Sequence, residues 1–367
     1  MILTPKNSYI RRKEMNAVLD CLVEDFARNG SFRSNFLRQA KELLSFDYGI
    51  AFRSPVDALV HALSCCDIKT GDKIGLSALD PYWTEKAVRS LGAEPLWLDV
   101  DEASGTLPAS EVQKAVREGA KVLYVRHHWG LMPDPAVFEG ISVPILEDVS
   151  SAYGAWAASA PDEVTEQSGD SEQNENEEDP VPANARFAGS FGTFVLLGLE
   201  PGDYFTSGGG MLVYAKSRRD AQILRNRSEE LPDEILLGDM NSALASAQFF
   251  ERNRMQKRRK DIMEIYRNSL ARSHHKTLVQ TADGKGSDSG CIVIATTSVK
   301  EIVQYTKKKE VETAPAFGQS CIARGLVPEN CCPKANALSH RTIAFPLYPG
   351  INKTQAAKIA KVLATMP

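Results

Sequence analysis

Between Tyr48 and Asp148 the chain alternates short apolar runs with amphipathic segments, and this rhythm narrows its possible folds more than any other feature. "YGIAF" reads as a strand and "PVDALVHALSCC" as a helix. "KIGLS" is a strand, "YWTEKAVRSLG" a helix and "EPLWLDV" a strand. "ASEVQKAVREG" is a helix, and the strands "KVLYVRH" and "VPILED" follow. Parallel strands need crossover connections, and helical crossovers cover both sheet faces. Continuous apolar strands alternating with helices therefore predict βαβ units around a buried, mostly parallel sheet. The sheet is expected to resume with "GTFVLLGL" and "GGMLVYA".

The flanks differ from this centre. "IRRKEMNAVLDCLVEDFARNG" predicts one amphipathic helix, its apolar stripe formed by Met15, Val18, Leu19, Leu22 and Val23, closed by Gly30. From about 159 to 185 the composition turns acidic and nearly free of large apolar residues, which predicts a mobile surface insertion. "SALASAQFFERNRMQKRRKDIMEIYRNSLARS" predicts one long helix, its basic cluster forming a solvated face because Glu251, Asp261 and Glu264 are interspersed. Strand-like "GCIVIATT" and "RTIAFPLY" then alternate with helical "VKEIVQYTKK" and "NKTQAAKIAKVLATM". The expected organisation is an N-terminal helical segment (1–45), a large α/β domain (46–240), and a long helix with a small α+β domain (241–367).

Several function classes are disfavoured. Net charge is −4 without a strong basic block, so nucleic acid is a poor partner. No apolar run reaches spanning length, and the start lacks the apolar core of a signal peptide. Seven cysteines, with two adjacent pairs and no CxxC spacing, predict reduced thiols in the cytoplasm rather than bridges or a metal site.

The segments "GDKIGLSALDPYWTEKAVRSLGAEPLWLDVD", "VRHHWGLMPD", "PILEDVSSAYGAW", "EPGDYFTSGGG", "ALASAQFFERNRMQKRRKDIMEIYRNSL" and "HRTIAFPLYPGINKTQ" occur in one order. Together they resemble the DegT/DnrJ/StrS nucleotide-sugar aminotransferases, fold-type-I enzymes that use pyridoxal 5′-phosphate (PLP). The resemblance runs from about Tyr48 to the C-terminus. It implies an α/β PLP-dependent transferase-like fold, a smaller C-terminal α+β domain, and a homodimer with sites at its interface. It also implies roles. Asp148 matches the carboxylate that keeps the PLP ring nitrogen protonated, although Glu-Asp could equally end a buried strand. Ser151 stands where a glutamine usually reaches the ring oxygen. Trp83 stands at the ring-stacking position, where core packing would also place it. His127 matches a family histidine, although strand-end histidines also serve structure.

The phosphate grip departs from the pattern. Pro55 and Val56 replace a Gly-Thr pair, leaving Ser54 and nearby amides. Gly198 replaces a serine, and Glu234 and Leu236 replace an asparagine and an arginine supplied across the dimer. Thr206 and Ser207 of the glycine loop remain as candidate contacts. Above all, Asp203 stands at the Schiff-base lysine, and no lysine lies between Val122 and Ala215. No histidine replaces it, as happens in related sugar dehydratases. The expectation is a homologue without standard transaminase activity and without covalent PLP, which binds a nucleotide-sugar or another small molecule in polysaccharide synthesis. The alternative is a sugar-modifying enzyme that uses PLP or PMP without an internal aldimine, with Asp148, His127 and Asp203 in acid–base roles.

Overall fold

A seven-stranded sheet organises the chain. The computed structural model describes residues 3–5, 7–23, 30–159 and 181–367. In chain order the elements begin with α1 (Arg12–Val23), α2 (Ser31–Leu44), β1 (Tyr48–Phe52), α3 (Pro55–Cys65), β2 (Lys73–Ser77), α4 (Tyr82–Ser90) and β3 (Glu94–Leu98). Next come α5 (Ala109–Arg117), β4 (Ala120–Arg126), β5 (Ile145–Asp148), β6 (Trp156–Ala158), β7 (Arg186–Phe187), β8 (Phe194–Gly198) and β9 (Met211–Ala215). The remainder is α6 (Arg218–Ser228), α7 (Asp239–Phe250), α8 (Arg252–Leu270), β10 (Lys276–Thr277), β11 (Asp283–Lys285), β12 (Cys291–Ile294), α9 (Val299–Lys308), β13 (Ala314–Pro315), α10 (Pro333–Arg341), β14 (Thr342–Phe345) and α11 (Lys353–Thr365).

The large sheet runs β1-β9-β8-β5-β4-β2-β3. Its pairs are parallel from β8 through β3, while β9 runs antiparallel to both neighbours. Strands β5, β8 and β9 are buried at every position, which explains the unbroken apolar runs of β8 and β9, whereas β5 ends in the buried carboxylates Glu147 and Asp148. A second sheet, β10-β12-β14-β13, carries the C-terminal part. A third, β11-β6-β7, joins a C-terminal strand to two from the large part, so the main chain stitches across the expected boundary near 240.

The structure departs from or adds to the sequence reading at four places. The long helix is two, α7 and α8, interrupted at Glu251. Helices α6 and α10 have no counterpart in the sequence reading, while α2 completes the N-terminal segment expected to be helical. The basic cluster is not wholly solvated, because Arg259 is buried beside Met255 and Ile262. Finally, α1 has its apolar stripe facing outward: Met15, Leu19, Leu22 and Val23 are exposed, whereas Glu14 and Cys21 are buried. Glu14 is held there by the Arg11 amide and by Gln248 Nε2. The acidic insertion falls almost wholly on 160–180, outside the described residues. Its flanks meet, with Asn184 Nδ2 donating to the Ser159 carbonyl at 3.0 Å.

Candidate functional site

The carboxyl ends of β2, β4 and β5 converge on one cluster. Side chains alternate along a strand, so Tyr124 and Arg126 of β4 share a face. Arg126 pairs in register with Asp148 at the end of β5. Asp148 is fully buried, and four donors saturate its two oxygens. Oδ2 accepts from Tyr124 Oη and from Arg126 Nη1, the latter at 2.5 Å. Oδ1 accepts from the Ser150 amide at 2.9 Å and from Ser150 Oγ at 2.5 Å.

Arg126 continues to Asp203. Its Nη2 lies 3.7 Å from Asp203 Oδ1, while Asp203 Oδ2 accepts from the Glu200 amide at 2.9 Å. The guanidinium therefore bridges the candidate ring-nitrogen carboxylate and the residue at the lysine position. Burial opposes its charge, but Asp148, Tyr124 and Asp203 outweigh that and raise its pKa. Burial, then Asp148, raises the Tyr124 phenol, so it stays protonated as a donor. Neither Arg126 nor Tyr124 was a candidate from sequence. The available signal was the arginine closing an otherwise apolar strand, in register with Asp148.

The other candidates separate. Trp83 does stand beside the cluster, its ring 6.4 Å from Tyr124 and nearly perpendicular to it. His127 faces the opposite side of the sheet, where Nε2 lies 2.9 Å from Glu147 and the ring packs on Phe191. It is thus removed from the cleft. Glu147 also accepts from the amides of Gly189, Phe191 and Gly192, so this pair anchors a loop. Ser151 is tied by its carbonyl to Ser287 Oγ; its neighbour Ser150 is the residue bonded to Asp148. His128, which had no assigned role, lies with Nε2 3.2 Å from Oδ1 of the fully buried Asp80, close but not aligned for a hydrogen bond. Burial raises the Asp80 carboxyl against the opposing pull of His128 and Arg126.

The hydroxyls expected at the phosphate end are already engaged. Ser54 caps α3, its Oγ accepting from the Val56 amide at 3.1 Å, and Pro55 offers no N–H. Thr206 Oγ1 donates to the Leu199 carbonyl and accepts from the Gly208 amide. Ser207 Oγ donates to the Gly209 carbonyl. At Gly198 a side chain would run into Asp203 Oδ2 and Ser150 Oγ. PLP fits this arrangement poorly: the candidate ring-nitrogen carboxylate already has four donors, Arg126 stands against it, and Thr206 and Ser207 donate to backbone carbonyls, which leaves the Ser54 O–H as the uncommitted hydroxyl donor.

A separate cleft of about 1000 Å³ opens between the large and small sheets. Leu278, Ile292 and Ile294 form part of its floor, and Arg267, Lys276, Lys285 and Arg341 are among its charged lining, with Glu102 and Asp288 opposing them. Trp129 also lines it, in a left-handed conformation (φ 56°) that bulky residues rarely adopt. Its ring packs on Gly290, where any side chain would collide with it.

The comparisons agree with this architecture. The sequence model of the DegT/DnrJ/EryC1/StrS aminotransferase family matches residues 8–364. UDP-N-acetyl-3-dehydro-alpha-D-glucosamine 3-aminotransferase of Acidithiobacillus ferrooxidans is 22% identical over 342 residues, covering 86% of this chain and 83% of the relative. GDP-perosamine synthase of Vibrio cholerae is 20% identical, covering 96% and 95%. An aminotransferase from Streptoalloteichus hindustanus superposes with a TM-score of 0.79 at 16% identity, covering 99% of this chain and 98% of that one. E. coli GDP-4-keto-6-deoxy-D-mannose-3-dehydratase, solved with hydrated PLP, gives 0.77 at 15% identity, covering 99% and 100%. The fold is that of the type I PLP-dependent transferases.

Proposed function

The chain belongs to the DegT/DnrJ/EryC1/StrS aminotransferase family, and from that premise we propose that it is a member that has left transamination: a cytoplasmic homodimer that binds a nucleotide sugar and carries no covalent PLP. The bridge from Asp148 through Arg126 to Asp203 carries this reading. Seating a pyridine ring on Asp148 requires expelling the guanidinium. That breaks the pair between Arg126 and the buried Asp148 and takes the facing cation from the partly buried Asp203. Breaking a buried pair typically costs about 3–5 kcal/mol, which a protonated ring nitrogen on Asp148 offsets only in part because Asp203 still loses its facing cation. The same bridge disfavours a loosely held PLP or PMP, which needs the same carboxylate.

The ligand class rests on the relatives, whose names specify a UDP-sugar and a GDP-sugar product. The interdomain cleft supports it, since its volume suits a small-molecule site. Trp129 offers a ring for a base, and Lys276, Lys285 and Arg341 suit a diphosphate, with Arg267 held by Asp288. All seven cysteines are unbridged, in keeping with a reducing compartment. Among the described residues no helix is long and apolar enough to cross a membrane. The outward apolar stripe of α1, with Phe250 beside it, suits a subunit interface.

The test is to incubate purified protein with PLP, remove free cofactor, and record the visible spectrum, then titrate UDP-N-acetylglucosamine calorimetrically. The expected result is no retained chromophore and saturable binding that Lys276→Glu weakens. Stoichiometric retained PLP would overturn the reading.

A further inference from the structure

Helix α8 contains an arginine for which the proposed function has no use. Arg259 lies on the buried face with Met255, Ile262 and Tyr266, at 6% exposure. Its Nη2 donates to the Tyr204 carbonyl at 2.9 Å, and its guanidinium carbon stands 4.0 Å from the Tyr204 ring centroid. Nε and Nη1 are both buried and have no hydrogen-bond partner. No carboxylate forms an ion pair with this guanidinium among the described residues. The phenol beside it is neutral, since burial raises its pKa to about 12. Burial also pulls the Arg259 pKa down, and only Tyr204 opposes that.

Arg259 borders a cavity of about 20 Å³. Tyr9, Asp203, Thr206, Gln248 and Met255 also line it. The space admits one occupant the size of a water molecule or a monatomic ion, and it is too small for phosphate. Asp203 presents a carboxylate that is already bonded to the Glu200 amide and faces Arg126. A water would satisfy the two donors but leave the buried charge uncompensated, whereas a halide would do both.

We propose that Arg259 holds a buried monatomic anion, chloride under cellular conditions, directly behind the loop that carries Asp203, Tyr204 and Thr206. This site is independent of the nucleotide-sugar reading. The anion supplies the countercharge that lets an arginine stand under that loop, so stability depends on the identity of the anion and not only on ionic strength.

The test compares melting of the full chain in potassium chloride and potassium gluconate at equal ionic strength. Gluconate is too large for the cavity. The expected result is a higher melting temperature in chloride, rising by roughly 2 °C per tenfold chloride above saturation. Arg259→Met, which keeps the stem and removes the charge, should abolish the difference. Crystals grown with bromide should show an anomalous peak beside Nε and Nη1. Identical melting of the native protein in the two salts with no bromide peak, or a chloride effect that survives Arg259→Met, overturns the proposal. The native-protein salt comparison and the bromide peak decide it even where the variant fails to fold.

Discussion

Gly198 and Asp203 are spatially exclusive: the side chain missing at 198 is the space that the Asp203 carboxylate occupies, together with Ser150 Oγ. Two departures that look separate in the sequence are therefore one packing event. Once a carboxylate turns back from 203 to cap the Glu200 amide, a serine at 198 has no room.

Gly198→Ser should accordingly destabilise the protein by about 1–3 kcal/mol through overpacking. In an Asp203→Gly background the same substitution should cost clearly less. Denaturant unfolding of the four proteins in the cycle measures this, and an additive result would refute the coupling.

Protonation of His61 should give a distinct pH signature. Burial, then the charge of Arg227, lowers its pKa from 6.5 to about 4. The ring is neutral in the folded state while the unfolded chain gains a proton below about 6.5. Its contribution is thus fully present above the unfolded pKa and is lost as pH falls from about 6.5 towards 4. The upper bound is about 3.4 kcal/mol. His61→Gln, which can still reach Ser228 Oγ, should flatten this part of the stability–pH curve. An unchanged slope between pH 7 and 4.5 would contradict the assignment.

Sequence pattern revealed most of the large sheet because its strands are short, mostly apolar runs, the first ones set between helices, and "YGIAF" and "KIGLS" coincide with β1 and β2. It failed where a pattern has two physical readings. An apolar stripe such as that on α1 fits a core face or an outward one, and here Glu14 is the buried residue and Leu19 the exposed one. The run through Phe249–Arg252 keeps helical composition, so nothing in it announces the break at Glu251. Asp148 and Asp203 stand out in the sequence one by one, but the relation between them is not visible there, because Arg126 reads as a strand terminus until β4 is set against β5. His127 was misplaced for a related reason: alternation sends it to the opposite face from Arg126.

Dimerisation should follow from the exposed Met15, Leu19, Leu22 and Val23 on α1 and Phe250 on α7. Light scattering at micromolar concentration is expected to give twice the chain mass of 40.3 kDa. Leu19→Glu should shift the protein to monomer without unfolding it, since Leu19 has little packing to lose. A native monomer at that concentration would remove the interface.

Excising the insertion and joining its flanks should be tolerated. Ser159 and Asn184 are already bridged by a hydrogen bond, so a short turn can replace the intervening chain. The melting temperature is expected to change by only a few degrees. Loss of folded protein would show that the acidic segment contributes to the core.

The strictest test concerns position 203. Borohydride reduction after PLP treatment should yield no specific adduct, because Asp203 cannot form an imine. Asp203→Lys alone should not create the activity. The new ammonium would face Arg126, whose Nη2 now stands 3.7 Å from Asp203 Oδ1, and like charges at that range repel by about 1–4 kcal/mol. Asp148 would remain saturated by Tyr124, Arg126 and Ser150. Removing the arginine alone, as Arg126→Val, should destabilise the fold by leaving the buried Asp148 and the partly buried Asp203 without the cation between them. The combination of Arg126→Val, Asp203→Lys and Gly198→Ser is different. It frees one oxygen of Asp148, gives that carboxylate a new cation, restores an amine, and replaces the Asp203 oxygen at Gly198 with a hydroxyl. This triple variant should therefore be more stable than Arg126→Val and should retain PLP that neither single variant holds, read as a visible absorbance and a reduced lysine adduct mapped to position 203. Covalent PLP on the native chain, or on Asp203→Lys alone, would mean that Arg126 does not block the ring site.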